Sequence, residues 1–211
     1  MYTYRKWRER LRNRTDMTTY LTHLTRKNVG GREDFPKDKL EVLIKILTDK
    51  KLIASGKGFI NSGEPVVCLQ DVPFYGVSQN VKHEMEHKRL LGDRIRYEPL
   101  GIALHKTYVF RKGGRPVIYE KPTIKDGKKT FPDIPSDLLW RIVSLDLSED
   151  EAFTDWTHER EWRVKGDLEF ELEDVYVILP DTYMYKEFTE KVDSQILKEI
   201  RGVIVLEGLM Y

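Results

Sequence analysis

Apolar positions in the first quarter of the chain recur at helical spacing, broken once by an alternating run. Tyr4, Trp7 and Leu11 share one face of a segment otherwise crowded with Arg and Lys, which predicts a short basic amphipathic helix. TTYLTHLTR at 18–26 has the Thr, Tyr and Leu content of a strand that turns His23 to one face. After the Gly30–Gly31 turn, Leu40, Leu43, Ile44 and Leu47 repeat at i, i+3, i+4, i+7 and predict a helix over about 36–50. Asp34 can cap it and Pro36 suits its first turn. LIAS at 52–55 reads as a short strand, and EPVVCLQDVP at 64–73 holds a buried strand ended by Pro73. A second helix is expected over 77–91, with Val77, Val81 and Met85 as its apolar stripe.

Strand patterns dominate the second half. GIALHK at 101–106 and PVIYE at 116–120 are expected strands, GGR at 113–115 a turn between strands, and the Asp126–Gly127 pair the turn of a hairpin. SDLLWRIVSL predicts a helix over 136–145. EWRVKGDLEFELEDVYVILP predicts two or three strands split near Gly166 and Asp174. A last helix over about 183–200, with Phe188, Val192, Ile196 and Ile200 on one side, precedes a strand at 203–207. The order implies an α+β protein with a mixed, mostly antiparallel central sheet flanked by helices. With no internal repeat or linker, a single domain over 1–211 is expected: a basic N-terminal helix or arm at 1–17 and an α+β core at 18–211.

Composition adds limits. With 40% hydrophobic residues in 211, folding buries roughly 70% of the unfolded surface, enough for a core without disulfides. The single cysteine, Cys68, fits a strand interior in a reducing compartment. The longest apolar runs, at 66–69 and 175–179, fall far short of the ~20 residues that span a bilayer. No secretory apolar region follows the basic N-terminus, so a soluble cytoplasmic protein without a membrane partner is expected. The formal net charge of +1 hides an asymmetry: residues 146–190 hold fifteen acids against four basic side chains. The first fourteen residues hold six basic side chains and one acid. A polyanionic partner contacting one side is therefore compatible with overall neutrality.

Three clusters carry candidate chemistry. HEMEH at 83–87 fits the zinc-hydrolase pattern, with His83 and His87 as ligands one helical turn apart and Glu84 as base. Helical phase sets the two histidines opposite the apolar stripe, which also suits a solvated face. DWTHEREWRV at 155–164 packs carboxylates at E-x-E spacing. If it is a strand, Glu159, Glu161 and Arg163 share one face, while Trp162 and Val164 take the other. Paired carboxylates in a cleft stabilise a growing positive charge and deprotonate a nucleophile. The same residues can instead form ion pairs with Arg160 and Arg163 on an exposed sheet face. His23, Thr25 and Arg26 offer a ribose-hydroxyl donor and a phosphate-binding guanidinium, and Ser55, Gly56 and Gly58 let backbone amides approach a ligand. There is no GxGxxG, Walker or GxSxG motif.

Taken in order, THLTR, LIKILTDKKLIAS, VVCLQDVPF, YEPLGIALHK, GGRPVIYE and DWTHEREWRV resemble the bacterial family around the abortive phage-infection protein AbiGi, over about residues 20–180. The order of an early His strand and a late Glu strand also resembles the ADP-ribosyltransferase fold, above all its DarT-like, DNA-modifying branch. That resemblance implies NAD as substrate, with transfer of ADP-ribose to nucleic acid or protein in a phage-defence or toxin–antitoxin setting. It implies Glu161, His23 and Glu159 as catalytic residues, and His23, Thr25, Arg26, Ser55 and Trp162 as NAD-binding ones. Leu24, Thr25 and Arg26 follow His23 where DarT-like proteins carry an asparagine-leucine continuation. Two alternatives stand beside it: the zinc-dependent hydrolase, and a non-catalytic antitoxin or defence-complex interaction domain.

Overall fold

The computed structural model describes residues 2–25, 36–56, 60–87, 98–150 and 152–209. Helix α1 (Tyr4–Arg12) is capped by the Thr3 hydroxyl, which accepts from the Lys6 amide. Of the face expected to dock, Leu11 is buried, Trp7 is half-buried and Tyr4 is exposed, while the Tyr4 and Trp7 rings both meet His105. Strand β1 (Tyr20–Leu24) follows, then α2 (Lys39–Asp49). Asp38 is the α2 cap, accepting from the amides of Leu40 and Glu41; Asp34 lies outside the described residues. The helix buries Leu40, Val42, Leu43, Ile46 and Leu47; of the four positions expected Ile44 is only half-buried, and Val42 and Ile46 join the inner face. Short β2 (Lys51–Leu52) and β3 (Val66–Gln70) precede α3 (Phe74–Glu86), which begins directly after Pro73 and is capped at His87. The expected continuation to residue 91 lies outside the described residues. Met85, expected inside, is exposed, while Ser78 and Glu84 are buried with Val77 and Val81. Burial therefore keeps Val77 and Val81 of the expected stripe and leaves it only in the last turn, where Glu84 takes the inner position in place of Met85.

Strand β4 (Gly101–His105) runs straight into α4 (Lys106–Arg111), which strand-like composition had hidden. Then come β5 (Arg115–Pro116), β6 (Ile118–Glu120) and the β7 (Thr123–Lys125) and β8 (Lys128–Thr130) hairpin. Asp126 and Gly127 at its tip both have positive φ, as a two-residue turn of this hand demands. The helix expected over 136–145 is a 3-10 turn at Ser136–Arg141 that gives way to β9 (Ile142–Ser144). Adjacent β-branched Ile142 and Val143 favour the strand, which pairs in parallel with β6. The remaining elements are β10 (Glu161–Lys165), β11 (Leu168–Glu169), β12 (Val175–Leu179), α5 (Thr182–Lys191), α6 (Ser194–Glu199) and β13 (Gly202–Val205). One helix was expected where α5 and α6 stand. Val192 is extended, and Asp193 restarts the chain by accepting from the Gln195 amide at 2.6 Å.

The chain's contacts gather into two compact units. One comprises residues 1–51, 72–106 and 169–211, the other 52–71 and 107–168. In the first, the strands run β13-β12-β4-β1, antiparallel except for the parallel β12–β13 pair. On one face Ala103 and Ile178 pack with Val72, Val77 and Leu206, and with Tyr20, Leu24 and Tyr176 at the margin. The register sets Leu21 and His23 on the opposite face, beside Ile102 and Leu104. Gly101 makes that pairing close: a Cβ there would stand 2.0 Å from the His23 carbonyl oxygen. In the second unit, β10 lies antiparallel between β3 and β5. Among the described residues, no helix is long and apolar enough to cross a membrane.

Candidate functional site

A buried polar cluster lies on one face of β10 in the second unit. Alternation along the strand sends Glu161 and Arg163 to one side and Trp162 and Val164 to the other. The register places Gln70 directly opposite Glu161 and Cys68 opposite Arg163. Glu161 is only 8% exposed and Arg163 only 2%. Arg163 donates from Nε to Glu161 Oε1 at 2.8 Å and from Nη2 to Oε2 at 3.2 Å. Its Nη1 donates to the carbonyls of Trp140 at 2.9 Å and Ile142 at 3.2 Å. The ion pair foreseen for an exposed sheet face is therefore buried. Buried charges persist only with such full satisfaction, since removing an ion from water costs several kcal/mol.

A loop delivers Glu161 to this position. Asp155 accepts from both the amide and the hydroxyl of Thr157, which holds its carboxyl below the usual range and starts the 3-10 turn Thr157–Glu159. Arg160 then adopts a left-handed conformation at φ 44°, and β10 begins. Glu159 therefore sits in the turn rather than on the strand, so strand alternation does not place it beside Glu161. Tyr119 ties the main chain of this turn to the start of β10. Its hydroxyl accepts from the Glu161 amide at 3.3 Å and donates to the Trp156 carbonyl at 3.2 Å. Burial raises the Tyr119 pKa first, and the charges of Glu161, Glu159 and Asp155 add to the rise. Cys68 is pushed far above the ordinary thiol range, mainly by burial and then by Glu161, so it is no thiolate nucleophile. Gln70 Oε1 is buried with no hydrogen-bond partner among the described residues.

The remaining candidate residues lie on other elements or on the other face of β10. His23 lies half-buried on β1 in the first unit. Thr25 is also there, with both amide and hydroxyl spent on the Leu100 carbonyl. Arg26 and Gly58 lie outside the described residues. Ser55, in the second unit, is exposed and bridged to Val66 through its backbone. Trp162, half-buried, stands on the face of β10 away from Glu161. On α3 the His83 and His87 rings stack at 4.3 Å, and His87 Nδ1 lies 3.0 Å from the His83 carbonyl oxygen. Glu84 is buried, and among the described residues no group of three His, Cys, Asp or Glu side chains gathers to hold a metal.

Sequence reasoning missed Tyr119 and the Trp140 and Ile142 carbonyls, which lie 42, 23 and 21 residues from their partners on β10. No local pattern marks contacts of that range. Comparison with protein-family models, curated proteins and solved structures finds no match.

Proposed function

We propose that the chain is an ADP-ribosyltransferase-like protein of phage-defence or toxin–antitoxin type, taking NAD as substrate and using Glu161 as the carboxylate that supports cleavage at the ribose. The observation that carries this is the juxtaposition of a buried, oriented Glu161 with the orphaned acceptor Gln70 Oε1 directly opposite it. A buried acceptor without a donor costs roughly 1–3 kcal/mol, and a ligand bearing hydroxyl or amide donors would relieve it. A ribose diol or a carboxamide has such donors.

In this reaction the bond between the nicotinamide nitrogen and ribose C1′ breaks, and its electron pair leaves with nicotinamide. An acceptor nucleophile on nucleic acid or protein bonds to C1′ and gives up its proton. Positive charge grows on the ribose as the bond lengthens, and a carboxylate fixed nearby stabilises it without reorganising. Arg163 engages each Glu161 oxygen once, which fixes the side chain and leaves lone pairs for the substrate. Glu159, half-buried in the preceding turn, is the group proposed to receive the acceptor's proton. His23 is assigned to the ribose on the nicotinamide side by the resemblance alone.

Incubation with NAD labelled in the nicotinamide ring tests this. Release by the wild type and its loss in folded Glu161→Gln support it; no binding of millimolar NAD by folded protein overturns it. A second proposal, a non-catalytic interaction domain, is favoured by the completeness of the Glu161–Arg163 pair. Unchanged biological activity in Glu161→Gln would select that alternative.

A further inference from the structure

Two more arginines of the second unit are anchored around β5, and neither meets a carboxylate among the described residues. Arg141 donates from Nε and Nη2 to the Pro116 carbonyl at 3.0 and 2.8 Å. Arg115, the neighbour of Pro116, donates from Nη1 to the carbonyls of Phe110 at 3.0 Å and Gly114 at 2.7 Å, and its guanidinium lies 4.0 Å from the Phe110 ring centroid. Both side chains are held without being consumed. Arg141 keeps Nη1, and Arg115 keeps Nε and Nη2, free of any protein acceptor among the described residues.

Holding two like charges near each other is unfavourable. The two are anchored two residues apart on the same stretch of main chain, Arg141 on the Pro116 carbonyl and Arg115 on that of Gly114, and burial, then the charge of Arg115, lowers the Arg141 pKa. Both are half-buried, so water screens their repulsion less than at an open surface. Opposite Arg115 across the β10 register stands Arg163, whose charge is already spent on Glu161. Carbonyl anchors and an aromatic ring fix the two free guanidiniums in advance, and an oxyanion would remove their repulsion while accepting paired N–H donors.

The geometry points to a preformed oxyanion site at Arg115 and Arg141 that takes the phosphoryl groups of a nucleotide-type ligand. It stands on these two residues alone and does not require Glu161 to be catalytic. Phosphate chemistry reaches it from inorganic phosphates or from a nucleoside diphosphate, and titration separates these sources.

The test is calorimetric titration of the full chain with pyrophosphate, ADP and adenosine, for wild type, Arg141→Met, Arg115→Met and Arg141→Lys, each checked for fold by circular dichroism. Wild-type protein is expected to bind ADP and pyrophosphate but not adenosine, with affinity falling as salt rises. Arg141→Met is expected to weaken both about ten- to hundredfold, with Arg141→Lys between it and wild type. ADP binding tighter than pyrophosphate assigns a nucleotide; equal affinities assign the phosphoryl group alone. If Arg115→Met fails to fold, Arg141→Met alone decides. No pyrophosphate or ADP binding by the wild type, or unchanged affinity in folded Arg141→Met, overturns the site. Glu161→Gln is expected to bind pyrophosphate normally, so failure of the transferase proposal leaves this result separately readable.

Discussion

Replacing Arg163 by methionine removes the counter-ion of a carboxylate that has only 8% of its surface exposed. It also strips the donor from two main-chain carbonyls, those of Trp140 and Ile142. Breaking a buried pair from one side costs about 3–5 kcal/mol, because the remaining charge has neither water nor partner. We expect about 4 kcal/mol for Arg163→Met, equivalent to roughly 8–16 °C in Tm for a chain of this size. Glu161→Gln is expected to cost somewhat less, about 2–3 kcal/mol: the buried Arg163 loses its counter-ion, but the amide carbonyl and both backbone acceptors still receive its donors. The double variant, with neither charge buried, should be at least about 2 kcal/mol more stable than the sum of the two single losses predicts. Urea unfolding followed by tryptophan fluorescence measures all three. A loss below about 1 kcal/mol for Arg163→Met, or simple additivity in the double variant, would refute the view that this pair organises the β10 face.

Two further outcomes follow from the geometry. Gly101→Ala drives a methyl group onto the His23 carbonyl, 2.0 Å away, and can be relieved only by separating β1 from β4; a loss of about 3 kcal/mol is expected, and wild-type stability in denaturant would contradict the pairing. Cys68 keeps its proton in the folded state, whereas the unfolded chain releases it above about pH 8.5, so stability from this group is complete below that pH and declines as pH rises. Unfolding curves at pH 7.5 and 9.5 should show a steeper loss for wild type than for Cys68→Ala, and equal slopes would refute the assignment.

Sequence legibility followed the range of the interactions. The Asp126–Gly127 turn could be read directly, because two adjacent residues that tolerate positive φ suffice to close a hairpin. The split at Gly166 was equally local, that residue having φ 74°. The joint between α5 and α6 was not legible: Phe188, Val192 and Ile200 are all buried, and their spacing fits one continuous helix. Only the extended backbone at Val192 and the Asp193 cap reveal the break. Within the candidate site, the placing of Glu161 and Arg163 on one face follows from strand alternation. The position of Glu159 could not, because the left-handed Arg160 separates it from the strand.

By itself, the chain's order of residues determined the alternation along β1 and β10, the buried strand at β3, the burial of Leu11 on α1, and the α+β class with a mostly antiparallel sheet. These rest on periods of 2 and 3.6 residues, which the backbone imposes locally. Tertiary structure alone decided which face of β10 meets water, since Glu161 and Arg163 look like surface residues until Cys68, Gln70, Tyr119 and the Trp140 and Ile142 carbonyls close around them. It alone brought Arg141 to the Pro116 carbonyl, 25 residues away in the chain. Burial and charge compensation are sums over distant neighbours, and no local pattern of residues contains them.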